Sequence, residues 1–126
     1  MNLINNITGA PAAIGPYSQA VKSGNFLFCS GQIPINPASG KIEATSVEDQ
    51  TRQVFDNIRA LMESQGLGLN HVVKATVFLQ DMADFPKVNL LYENAFQGHK
   101  PARSTVQVAK LPLGALIEIE VIAELS

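Results

Sequence analysis

Ala20-Val21-Lys22-Ser23 and the apolar run Phe26-Leu27-Phe28-Cys29-Ser30 lie on either side of Gly24-Asn25. Short runs of this kind bounded by turn residues read as strands, and a two-residue joint of this type predicts a hairpin. Gly31 follows at once, where a strand interior ordinarily avoids glycine, so a bulge or a close backbone approach is expected there. Pro34 to Gly40 reads as a loop. The pattern then changes. Val54, Ile58, Leu61, Met62 and Gln65 recur at helical spacing, with Arg52, Asp56, Arg59 and Glu63 on the other face. Ser46 is placed to cap this helix, with Asp49 reaching back to it, and opposite charges four apart add support. Gly66 and Gly68 end it.

Val72–Leu79 is rich in β-branched residues and predicts a central strand. A second helix is expected through Phe85, Val88, Tyr92, Ala95 and Phe96, capped by Asp81 or Asp84, with Pro86 in its first turn. Asn89 falls beside its apolar face. The last quarter holds two alternating runs, Pro101–Pro112 and Ile117–Glu120, across Leu113-Gly114-Ala115-Leu116. These read as two joined strands, an antiparallel pair bringing Arg103 and Glu118 to one region of a sheet. Strand, strand, helix, strand, helix, strand, strand describes an α+β fold, a single domain over 1–126 with a mixed sheet and both helices on one face. The opposite face then needs a cover, which makes self-association through it the expectation.

Composition narrows the partners. A formal net charge of −2 and no Trp argue against nucleic acid as the main ligand. With 46% hydrophobic residues the chain is slightly apolar for its 126 residues, in keeping with an oligomer interface. One cysteine excludes an internal disulfide and fits a reducing cytoplasm; no secretory leader or membrane span is visible, so a cytoplasmic location is expected.

Two histidines far apart in sequence, and no carboxylate or Cys cluster at ligand spacing, speak against a metal site. His71 is expected to be solvated. Cys29 has no local base and reads as a small buried hydrophobe. Gly66-x-Gly68 closes a helix instead of opening one, so phosphate-binding loops are excluded. Arg103, Glu118, Tyr17 and Asn89 remain, with backbone groups at Gly31 and Pro112. Arginine suits a planar carboxylate through two parallel hydrogen bonds, and a half-buried Glu suits proton transfer to water. The same two residues also fit a plain surface ion pair on a sheet edge.

The order of these residues resembles the Rid proteins, also called the YjgF/YER057c family, of the RidA imine-deaminase type. The likeness runs through Ala10-Pro11-Ala12-Ala13-Ile14-Gly15-Pro16-Tyr17-Ser18-Gln19-Ala20 and Ser30-Gly31-Gln32-Ile33-Pro34. It continues through Gln53, Asn57 and Ile58, Lys74-x-Thr76-Val77-Phe78-Leu79-x-Asp81-Met82, and Phe85, Val88, Asn89 and Tyr92. Pro101-Ala102-Arg103-Ser104, Ala109, Leu111 and Ile117-Glu118-Ile119 complete it. The resemblance implies a chorismate-mutase-like α+β unit, a homotrimer whose sheets pack into a central barrel, and active sites between subunits. It implies cofactor-free hydrolysis of 2-aminoacrylate/2-iminopropanoate and 2-iminobutanoate to 2-oxo acids and ammonia. A non-catalytic trimeric binder of 2-oxo acids is the alternative. Arg103 would bind the substrate carboxylate and Glu118 would activate water, with Glu120 expected on the other face but kept as a second candidate. Tyr17 and Asn89 would line the pocket. Ser30, Gly31, the backbone at Thr105 (often Cys in the family) and the turn at Pro112 would shape it.

Overall fold

The structure, a computed structural model, describes residues 1–126. Its strands are β1 (Asn2–Ile4), β2 (Ala20–Ser23), β3 (Phe26–Cys29), β4 (Ile35–Asn36), β5 (Lys41–Ile42), β6 (Val72–Leu79), β7 (Ala102–Gln107) and β8 (Ile117–Glu124); its helices are α1 (Val47–Ser64) and α2 (Phe85–Phe96). Six strands form one mixed sheet in the order β1-β2-β3-β8-β6-β7, and β4 and β5 form a separate two-stranded ribbon. The stretch read as a loop from Pro34 to Gly40 thus holds β4, paired with β5 just beyond it, and β1 is an edge strand that alternation over three residues is too short to announce.

The α+β reading and the hairpin at Gly24-Asn25 hold, with Ser23 opposite Phe26. Ser46 caps α1 by accepting from the Asp49 N–H at 3.1 Å. Asp49 does not reach back; its carboxylate takes a hydrogen bond from Arg52, and Asp56 pairs with Arg59, so the helix ion pairs are three apart and not four. Asp81 caps the short turn Met82–Asp84 through the Ala83 N–H, while Asp84 makes no cap for α2. Both helices lay their apolar stripes on one sheet face. Val54, Ile58, Leu61 and Met62 of α1 and Val88 and Phe96 of α2 meet Ala75, Val77, Ile119 and Val121 in one buried cluster.

The predicted terminal pair is corrected. β7 and β8 do not touch; β6 lies between them, parallel to β7 and antiparallel to β8. α2 carries the chain from β6 back to start β7 alongside it, and a helical crossover of this kind yields a parallel neighbour. β8 then takes the remaining slot between β6 and β3.

Candidate active site

Ser30, Gly31 and Glu118 are brought together by an irregularity at the end of β3. Phe28 sits opposite Ile122 and Gln32 opposite Ile119, so one extra residue is inserted around Ser30–Gly31. Gly31 also meets the second expectation made of it. A Cβ there would overlap the Glu118 carboxylate, whose Cδ would lie 3.0 Å away, so the missing side chain is the space Glu118 occupies. Ser30 donates its hydroxyl to the Ser18 carbonyl at 2.5 Å, tying the bulge to the segment that leads into β2. These residues border a cleft of about 330 Å³, closed by Pro11, Tyr17 and Pro112. Tyr17 is 51% exposed, and its Oη accepts from the Ile14 N–H at 3.4 Å.

Glu118 is half-buried, and its pKa is raised, first by burial and then by the neighbouring charge of Glu120. That makes it a more basic carboxylate than a solvated one, suited to taking a proton from water. Glu120 was expected on the opposite face. It shares the helix-free face with Glu118, because residues two apart on the regular strand β8 point the same way.

Buried amides brace this cleft, and they were not picked out from the sequence as site residues. Gln19, 2% exposed, accepts from the Ile7 N–H and donates to the Pro11 carbonyl at 2.6 Å. Gln50 accepts from the Leu116 N–H at 2.8 Å and donates to the Ala44 carbonyl, anchoring the turn before β8. Asn57 donates to the carbonyls of Ile33 and Ile35, and Gln53 donates to Asn57. Ile33 and Ile35 are themselves cleft walls. The available signal was three polar residues, Gln50, Gln53 and Asn57, running at helical spacing into the apolar side of α1.

Arg103 lies elsewhere. In register it stands opposite Ala75, which faces the helices, whereas Glu118 stands opposite Phe78 on the other face. Its Nη1 donates to Asn89 Oδ1 at 2.7 Å, and its guanidinium lies over the rings of Phe85 and Tyr92. Arg103, Asn89 and Tyr92 line a second cleft of about 490 Å³ with Glu93, His99 and Lys100. Burial raises the pKa of Tyr92, and the Arg103 charge works against that rise. Thr105 points to the same side as Arg103, and its hydroxyl is buried without a hydrogen-bond partner.

The expected site is therefore split within one chain. Tyr17, Ser30, Gly31, Pro112 and Glu118 share one cleft, while Asn89 and Arg103 share the other. The plain ion-pair reading is overturned as well, because the chain's ion pairs are Asp49–Arg52 and Asp56–Arg59 alone. His71 is not solvated as expected; its Nδ1 accepts from the Gly68 N–H at 3.1 Å in a half-buried turn. Cys29 is buried, and its thiol pKa is pushed up to about 12 by that burial, which removes it as a nucleophile.

Residues 7–125 match the family described as endoribonuclease L-PSP. A protein of Pyrococcus horikoshii described as a RutC family protein is 56% identical over 90% of each chain. The 2-iminobutanoate/2-iminopropanoate deaminase of Escherichia coli is 51% identical over 90% of this chain and 91% of its own. Among solved structures, Escherichia coli TdcF with bound serine superposes with a TM-score of 0.93 at 42% identity, each chain covered in full at 100%.

Proposed function

This chain belongs to the endoribonuclease L-PSP family, the Rid or YjgF family, and from that membership we propose that it hydrolyses small imines of 2-oxo acids to the 2-oxo acid and ammonia. The observation that supports the reading is that the chain carries two complementary half-sites in separate clefts: an arginine with a free hydrogen-bonding edge, and a half-buried carboxylate of raised pKa held over a glycine. In this reading Arg103 grips the substrate carboxylate. Glu118 takes a proton from water as the water oxygen bonds to the imine carbon and passes it to the nitrogen, giving a carbinolamine. The carbinolamine hydroxyl then yields its own proton to the nitrogen by way of Glu118 as the C–N bond breaks, leaving the 2-oxo acid and ammonia. Such imines hydrolyse unaided, so general acid–base help of ~10²–10⁴-fold is sufficient, and no cofactor is invoked.

Because the half-sites open on opposite sides of the sheet, a working site takes one half from each of two copies. We therefore propose the homotrimer, with sheets packed around a central barrel and sites between subunits. Thr105, Tyr17, Ser30 and Pro112 shape the pocket in this arrangement. The lone buried Cys29 is at home in a reducing cytoplasm. Binding of 2-oxo acids without turnover is the second reading, favoured by the bound serine in the solved TdcF structure. Ribonuclease work ranks below both, since Asp and Glu outnumber Lys and Arg by 11 to 9.

A pyridoxal-phosphate threonine dehydratase supplies the imine, and 2-oxobutanoate formation is followed while semicarbazide competes for it. Wild-type protein accelerates 2-oxobutanoate release and Arg103→Ala does not. Equal performance of the two removes the deaminase reading. Binding of 2-oxobutanoate by a wild-type protein that gives no acceleration leaves the binder.

A further inference from the structure

Phe85, Asn89 and Tyr92 fall four and three residues apart on α2 and form one stripe facing β7. All three touch Arg103. Its Cζ is 5.2 Å from the Phe85 ring centroid and 4.7 Å from that of Tyr92, and Asn89 Oδ1 holds Nη1 at 2.7 Å. The inner ring is itself fixed: Tyr92 lies 4.6 Å from Phe96 and 6.0 Å from Phe55, both buried. The outer ring, Phe85, is half-buried at the first residue of the helix.

A guanidinium offers two kinds of surface. Its flat faces attract aromatic rings, while its five N–H groups all point outward in the plane. Phe85 and Tyr92 hold the Arg103 Cζ over their ring faces, and Asn89 is the one hydrogen-bond acceptor the guanidinium meets. Four N–H groups stay available, enough for a bidentate carboxylate. An unstacked arginine on an edge strand would lose the freedom of its long side chain at each binding event. Here that ordering is done beforehand by the fold.

Resting on the reading of Arg103 as the carboxylate anchor, we infer that Phe85 is a positioning residue for it. Phe85 supplies, beside Tyr92, a second ring face over which the guanidinium lies, and so holds its free N–H groups ready for substrate. Its contribution is made through Arg103, without contact with the reacting carbon, so it acts on substrate capture more than on turnover.

The test compares wild type, Phe85→Leu, which keeps an apolar side chain, and Phe85→Trp, which keeps a ring face. Phe85→Leu raises KM for the imine about 5- to 30-fold with kcat changed less than about threefold, and Phe85→Trp returns KM to within about threefold of wild type. The Arg103 Nε–Hε nuclear magnetic resonance, identified by its loss in Arg103→Lys, is displaced upfield by ring currents in wild type. It moves toward the free-arginine position in Phe85→Leu and stays displaced in Phe85→Trp. A Phe85→Leu protein with wild-type KM, or with an unmoved Arg103 resonance, overturns the inference. Wild type that neither hydrolyses the imine nor binds 2-oxobutanoate brings down the functional reading instead, and the stack is then judged by the resonance.

Discussion

The proposed chemistry turns on how one carboxylate is housed. Glu118 occupies the volume that a side chain at Gly31 would need, and burial together with Glu120 raises its pKa. Two consequences have opposite signs. In the proposed role of base Glu118 works ionised, so kcat/KM is expected to fall as pH drops through its raised pKa. Replacing Glu120 by Gln removes the nearby negative charge, lowers that pKa and moves the acidic limb of the pH profile to lower pH. A limb that stays in place separates the two residues. For stability, a carboxyl whose folded pKa exceeds its unfolded value binds more protons when folded, so stability is lost as pH rises through that window. Glu118→Gln therefore lowers kcat by ~10²–10⁴-fold while its denaturation midpoint at pH 7 equals or exceeds that of wild type. A Glu118→Gln protein that unfolds earlier than wild type contradicts this account of the site.

At the scale of elements, the cleft walls hold their places through buried amides as well as strand pairing. Asn57 is fully buried, and its Nδ2 donates to both Ile33 and Ile35, whose segment joins the β3 bulge to β4. Asn57→Ala removes its donor from both carbonyls, Ile33 keeping the Ile35 N–H, a loss of about 1–3 kcal/mol. Urea denaturation shows the lowered midpoint, and an unchanged midpoint means that water takes over both carbonyls. Helical periodicity made α1 and α2 legible, the Gly24-Asn25 turn signal marked β2 and β3, and the β-branched run marked β6. The bulge at Gly31 was legible too, from a glycine placed where a strand should continue. Asn57 and Gln50 were opaque as braces, because their partners are loop carbonyls that arrive only once the chain has folded. β7 and β8 were legible as strands but not as non-neighbours. Alternation identifies the side a residue takes, and carries nothing about which strand lies alongside. Arg103 and Glu118 were picked out by residue type, and their placement on opposite faces follows from β6 standing between them with Arg103 and Glu118 at odd spacing in its register.

Over the whole molecule, the helix-free side of the sheet carries exposed Phe26, Phe28 and Val106, with Glu120, Thr76 and Lys74 among them. An apolar face of this kind on a sheet whose other side is fully packed is where further copies of the chain are expected to sit. The split site makes a sharper demand than assembly alone. If Arg103 of one subunit serves Glu118 of the next around a closed ring, two inactive variants repair each other. Arg103→Ala keeps every Glu118, and Glu118→Gln keeps every Arg103. In a ring mixed at random from equal amounts, a junction is intact when a Glu118→Gln subunit supplies the arginine and an Arg103→Ala subunit supplies the carboxylate. Each choice has an even chance, so about a quarter of the junctions work. The two variants, denatured together and refolded, recover about a quarter of wild-type imine hydrolysis, whereas the same proteins refolded apart and then combined stay inactive until subunits exchange. Sedimentation run beside the assay shows one species of trimer mass. No recovery from a properly reassembled mixture means that both residues act from a single chain, and the two clefts then have to be joined by a movement within it.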